Sequence, residues 1–171
     1  TFYGTELSFW QLREQVLRLA HALGRLGIRK GDRVGLQLPN CPQFVIAYLA
    51  TISLGAVVVN VNPLYTSEEL HHIIATTGME SLFTFDSALP VVRPLARELG
   101  LKRVIVTSVK DYMQGIEPST ARSLDLEEGW FHFSELLAGS TTTTLPKIPV
   151  EPDDPALIQF TGGTTGFPKG A

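Results

Sequence analysis

Apolar positions first fall into a helical period near the start of the chain. Phe9, Leu12, Val16, Leu19, Leu23 and Leu26 share one face, Ser8 and Gln11 stand at capping-box spacing before them, and Gly27 closes the run. A short strand is predicted over 33–38, ending before Pro39. No residue from 34 to 67 carries a charge, and this stretch reads as a buried helix over 42–54, closed by Gly55, then a buried strand over 56–61. A membrane-spanning helix needs about 20 consecutive apolar residues, and Pro39, Pro42, Gly55, Asn60, Asn62 and Pro63 interrupt this run. Thr66 and Glu69 make a second capping box, opening a helix that Gly78 ends. Strands follow over 81–85 and 102–107, separated by a helix over 87–99 that Pro94 is expected to trim or kink. Residues 111–129 show no clear period and read as a surface excursion, and 130–137 hold a short strand and a helical turn. This alternation predicts an α/β fold: a doubly wound, mostly parallel sheet with flanking helices and right-handed crossovers.

The chemistry concentrates at the other end. Residues 140–155, with Ser140, four threonines and four prolines, read as a linker. An apolar run, Ala156-Leu157-Ile158-Gln159-Phe160, then leads into Thr161-Gly162-Gly163-Thr164-Thr165-Gly166-Phe167-Pro168-Lys169-Gly170. Glycines let successive backbone N–H groups turn toward one point and form an anion-binding concavity. The hydroxyls of Thr161, Thr164 and Thr165 add donors, and Lys169 adds a flexible cation suited to phosphate. A plain turn is the competing reading. The Walker A loop fails at two positions, because Pro168 stands where that motif needs glycine and Gly170 where it needs a hydroxyl.

Residues 161–170 resemble the phosphate-binding signature of the adenylate-forming enzymes, (Ser/Thr)-Ser-Gly-Thr-Thr-Gly-x-Pro-Lys-Gly, departing from it only at Gly162. Glycine at that position is familiar in the long-chain fatty acid–CoA ligase branch of that superfamily. The stretch Asn60-Val61-Asn62-Pro63-Leu64-Tyr65-Thr66, followed by Glu69-Leu70, is similar to the same branch, as are Tyr3-Gly4-Thr5-Glu6-Leu7-Ser8-Phe9 and Lys30-Gly31-Asp32-Arg33-Val34. The resemblance implies the front part of a larger N-terminal, AMP-binding domain: an α/β subdomain over 1–139, the linker over 140–155, and a strand plus phosphate-binding loop over 156–171, cut short. It implies an AMP-forming ligase that joins a fatty acid to coenzyme A through an acyl-adenylate, with ATP, the acid and coenzyme A as substrates and Mg2+ sharing the phosphate charge. Thr161, Gly162, Gly163, Thr164, Thr165, Gly166 and Lys169 would hold the ATP phosphates. No catalytic residue is assigned within these residues, and they are expected to be inactive alone. The acyl pocket, the adenine contacts and the catalytic lysine are expected beyond Ala171, and the first residue, Thr1, suggests missing sequence at that end too. A ligase of the same superfamily using another acid, and a non-catalytic interaction or dimerisation module, remain alternatives.

Charge and composition narrow the partners. The chain has 171 residues, enough for a sizeable core, and a net charge of −3 with no basic run, so no nucleic acid partner is expected. No charged-then-apolar leader is visible, and a cytoplasmic location is expected, with peripheral membrane contact and a homodimer both left open. Cys41 is the only cysteine, which excludes an internal disulfide, and it reads as an inert thiol near a helix start. His71 and His72 are adjacent and cannot clip one metal from a helix, and no metal site is expected. His21 and His132 give little. Asp153 and Asp154 read as a turn device before Pro155 rather than a catalytic pair, and Asn60, Asn62 and Tyr65 as turn formers that also stand where a ligand crevice would open.

Overall fold

The computed structural model describes residues 1–115, 124–142, 144, 147–161 and 169–171. The first helix, α1 (Phe9–Arg25), begins at a complete capping box: Ser8 accepts from the Gln11 N–H, and the Gln11 side chain accepts from the Ser8 N–H. It leads to β1 (Arg33–Leu36), α2 (Pro42–Ile52), β2 (Val57–Asn60) and α3 (Ser67–Thr77). Thr66 and Glu69 form the second capping box, and Gly78 closes α3 with φ of 61°, a conformation that spares glycine the Cβ clash. Next come β3 (Ser81–Phe85), α4 (Leu89–Glu98), β4 (Arg103–Thr107), β5 (Trp130–His132), α5 (Phe133–Ala138), β6 (Leu157–Thr161) and β7 (Lys169–Gly170).

Two expectations shift. A 3-10 turn, Asp86–Ala88, takes the first residues expected of α4, and the helix then runs through Pro94 to Glu98, one residue short of its expected end. Val92, Leu95 and Ala96 are buried along it, and that packing outweighs the one hydrogen bond a proline forfeits. The region expected to be a surface excursion is pinned in its described part. Leu124 and Leu126 pack against the core, and Glu127 accepts from Arg93 and twice from Arg97 at 2.9–3.1 Å.

The strands form one sheet in the order β5-β4-β3-β1-β2-β6-β7, parallel throughout except for antiparallel β7. The chain runs from β1 outward to β2, then returns across β1 to start β3 on its other side. That reversal makes the sheet doubly wound. One face carries α1, α2 and α5 over Val34, Leu36, Val58, Phe83 and Ile105. The opposite face carries α3 and α4 over Val59, Leu82, Val104, Val106 and Phe160. β1 and β2 alternate between these two cores, which is why their sequences are apolar at nearly every position. All carboxyl ends of the parallel strands share one edge. There a ligand of such a sheet is expected.

Candidate functional site at the carboxyl edge of the sheet

Thr161 is the last residue of β6 and Lys169 the first of β7, and the two are directly opposed in an antiparallel pair. The Thr161 hydroxyl faces the Lys169 carbonyl at 3.4 Å, and the stem is closed further by reciprocal Gln159–Ala171 backbone bonds of 2.9 and 3.0 Å. Phe160 and Gly170 face the other way, Phe160 into the core at 5% exposure. A Cβ on Gly170 would stand 3.2 Å from both Ile158 Cγ2 and Phe160 Cζ, so the close approach of the two strands favours glycine there. The two ends of the glycine- and threonine-rich segment are therefore held side by side, with Thr161 and Lys169 on one exposed face. Gly162, Gly163, Thr164, Thr165 and Gly166 lie outside the described residues.

Beside this stem, at the ends of β1, β2 and β6, a crevice of about 640 Å³ opens between Phe44, Asn60, Asn62, Tyr65 and Gln159. Asn62 is a turn former as read from sequence, its side-chain oxygen accepting from the Leu64 N–H at 2.9 Å. Asn60 does something else. Its amide donates to Gln159 Oε1 at 2.8 Å, across 99 residues of sequence. Burial raises the Tyr65 phenol above its usual range, and the nearby Glu69 charge adds to the shift. That phenol is not a ready base at neutral pH.

The reversal of strand order between β1 and β3 is the place where such sheets usually bind ligands. In this chain that point is filled by its own amides. Buried Thr84 donates to Gln37 Oε1 at 3.0 Å, and buried Gln43 donates to the Ser108 carbonyl at 2.7 Å. Gln43 Oε1 has no hydrogen-bond partner among the described residues. The sequence hid this cluster, since its only trace was two glutamines inside apolar runs. The open crevice lies on the other flank of β1.

The remaining candidates fall away from the stem. Asp154 is a turn device: its carboxylate accepts from the Glu151 N–H at 2.6 Å and pairs with Lys30 at 2.6 Å. His71 approaches Glu98 at 3.3 Å, and His132 is buried in β5. Cys41 is the N-cap of α2 and lines a separate, mostly apolar cleft of about 460 Å³ with Phe2, Leu12 and Phe44. Its burial pushes the thiol up, outweighing the backbone N–H groups of Phe44 and Gln43 that pull it down. Among the described residues no group of three His, Cys, Asp or Glu is placed to hold a metal, and no helix is long and apolar enough to cross a membrane.

A parallel doubly wound sheet that carries a glycine-, threonine- and lysine-bearing hairpin at its carboxyl edge defines a nucleotide-binding α/β protein. The family model of AMP-binding enzymes matches residues 1–171, and the chain belongs to that family. It is 36% identical over 181 residues to a long-chain-fatty-acid–CoA ligase of Bacillus subtilis (strain 168), covering 99% of this chain and 32% of that protein. It is 33% identical over 171 residues to 4-coumarate–CoA ligase 2 of Oryza sativa subsp. japonica, covering 98% and 29%. Among solved structures, a long-chain-fatty-acid–CoA ligase from Archaeoglobus fulgidus superposes with a TM-score of 0.76 at 28% identity, covering 98% of this chain and 31% of that one. An anthranilate–CoA ligase with anthranoyl-AMP bound shares the fold at a TM-score of 0.84 and 24% identity, covering 99% and 30%. The chain thus spans about a third of the length of the curated relatives it matches.

Proposed function

We propose that these residues form the front part of the N-terminal domain of an AMP-forming acyl-CoA ligase whose acid is a long-chain fatty acid. The observation that carries the reading is the stem itself: Thr161 and Lys169 side by side on the exposed face, where the carboxyl ends of β2 and β6 meet the crevice. In the first step a carboxylate oxygen of the acid bonds to the α-phosphorus of ATP, and the bond to pyrophosphate breaks. In the second, the thiolate of coenzyme A bonds to the acyl carbon and AMP leaves. Charge builds on the departing pyrophosphate in the first step. Lys169, the Thr161 hydroxyl and the N–H groups of the intervening glycines would hold the β- and γ-phosphates against that charge. The described residues offer no carboxylate cluster for magnesium. Its place in this reading is on the phosphate oxygens, where it would share their charge.

The fatty acid is the finer half of the proposal. It draws support from the relative in Bacillus subtilis, from Gly162 and from the 60–66 segment. The rice 4-coumarate–CoA ligase and the crotonobetaine/carnitine–CoA ligase of Salmonella typhi, 31% identical over 165 residues and covering 96% of this chain and 30% of that protein, mark the competing acids. Removing one preorganised donor of this kind costs about 10²–10³ in rate. In the intact protein, Lys169→Ala is expected to slow acid-dependent ATP–pyrophosphate exchange by about that factor. Unchanged exchange would remove the lysine from the mechanism. A kcat/KM higher for 4-coumarate or crotonobetaine than for palmitate would remove the fatty acid.

A further inference from the structure

The stem that presents Lys169 sits at the edge of the sheet, and its hold on the rest of the molecule is narrow. Among the described residues, β7 pairs only with β6, and β6 pairs with β2 only through Val58–Leu157, Val59–Ile158 and Asn60–Gln159. The Asn60–Gln159 rung is the last. Beyond it Thr161 has no partner on β2, while its partner across the stem is Lys169. Residues in register share a face and alternate residues along a strand return to it, so Asn60, Gln159, Thr161 and Lys169 lie in one row on one side of the sheet.

That row is wired. Asn60 donates to Gln159 Oε1 at 2.8 Å, Gln159 Nε2 donates to the Phe160 carbonyl at 3.1 Å, and the Gln159 backbone closes the stem against Ala171. The Gln159 amide is thereby held at both ends, between the last rung of the ladder and the first residues of the loop. On the opposite face Phe160 is buried among apolar neighbours that accept many orientations. Apolar packing holds the stem down. A directional bond is what fixes its twist.

We infer that Asn60 is a positioning residue for the phosphate grip: through Gln159 it sets the orientation in which Thr161 and Lys169 meet the ATP phosphates. The inference rests on the reading that Lys169 binds phosphate. Asn60 touches no reacting atom. It replaces a solvated, freely turning Gln159 by one aligned along the loop's base, so its loss should weaken the grip on ATP while leaving the acid site alone.

The test uses the intact protein and acid-dependent ATP–pyrophosphate exchange, with Asn60→Leu, which keeps the volume and removes the bond, alongside Gln159→Met and the pair together. One neutral hydrogen bond is worth roughly a 2- to 10-fold change in equilibrium. Asn60→Leu is therefore expected to lower kcat/KM for ATP by about that factor with KM for the acid unchanged. The double variant should be no worse than the poorer single one, since both remove the same bond. Thermal unfolding of each variant provides the structural control. An ATP dependence like wild type, an equal change in the KM of acid and ATP, or additive losses in the double variant would each overturn the inference. Should Asn60→Leu not fold, Gln159→Met at its exposed position decides alone by the same ATP-against-acid comparison. Lys169→Ala in parallel separates the two readings. If it loses exchange and Asn60→Leu does not, only the positioning role fails; if it keeps exchange, the phosphate reading fails and takes the positioning role with it.

Discussion

The central strand offers a sharp test of how the sheet is packed. Gly35 lies in β1 opposite Val59 on one side and Leu82 on the other, facing the α3 and α4 layer. A Cβ at this position would fall 2.5 Å from Met79 Sδ and 2.7 Å from Leu82 Cδ1. Apolar atoms in contact sit at roughly 3.5–4.0 Å, so both neighbours would have to move by about 1 Å. Neither has free room: Leu82 is fully buried and Met79 is 3% exposed. Overpacking of this kind costs about 1–3 kcal/mol. Restricting the unfolded chain returns about 0.4–1 kcal/mol, because no positive φ is required of the new alanine. The net expectation for Gly35→Ala is a loss of roughly 0.5–2 kcal/mol in local stability.

Hydrogen exchange in the intact protein reads this region directly. Peptides spanning β1 and β3 should exchange about 2- to 30-fold faster in Gly35→Ala. The mechanism is tested by relief. Met79→Ala alone should cost about 2–5 kcal/mol by leaving a void. Combined with Gly35→Ala, the cost should fall at least about 1 kcal/mol below the sum, because the new methyl enters the vacated space. Unaltered exchange in Gly35→Ala, or a double variant additive within roughly 0.5 kcal/mol, would refute the packing argument.

Two further outcomes follow from the electrostatics. Cys41, 5% exposed and with its thiol pushed up by burial, should react with Ellman's reagent at least about tenfold more slowly in the folded protein than in urea; equal rates would overturn the reading that burial protects it. Lys30, and then the Glu151 N–H, hold the Asp154 carboxyl below the ordinary aspartate value of 3.8. A depressed folded value adds stability above the unfolded value and loses it as pH falls through the folded one. Peptic cleavage within residues 147–156 should therefore rise in wild type as pH drops below 3.8, while Asp154→Asn should be cleaved readily at every pH tested; a variant as resistant as wild type at pH 5 would sink the tie.

The parts of this fold that the sequence announced are those with a local cause. Capping boxes at Ser8–Gln11 and Thr66–Glu69 mark helix starts because the side chain and the N–H it satisfies are three residues apart. Strands β1 and β2 stand out because burial on both faces leaves no polar period. At Pro94 the cause is not local, since the packing of Val92, Leu95 and Ala96 that carries the helix past it comes from distant residues. The candidate site divides the same way. Thr161 and Lys169 were legible as loop chemistry, but β7 is two residues long and has no periodicity to detect. Asn60 looked like a turn residue because its partner Gln159 is 99 positions away.

On the proposed reading, that division also bears on where a ligand would lie. Strand-order reversal at β1 and β3 favours binding at that point on topological grounds. Yet buried Thr84 is bonded to Gln37 and the Gln43 amide nitrogen to the Ser108 carbonyl, leaving Gln43 Oε1 without a partner among the described residues. A ligand entering there would have to break bonds already shielded from water, each costly to leave unmade. The β2–β6 flank has the opposite character: Asn60, Gln159, Thr161 and Lys169 are wet, aligned and bonded mainly along the loop's own base. Recognition at this edge requires no such exchange, so the same topology that suggests one crevice delivers its chemistry to the next.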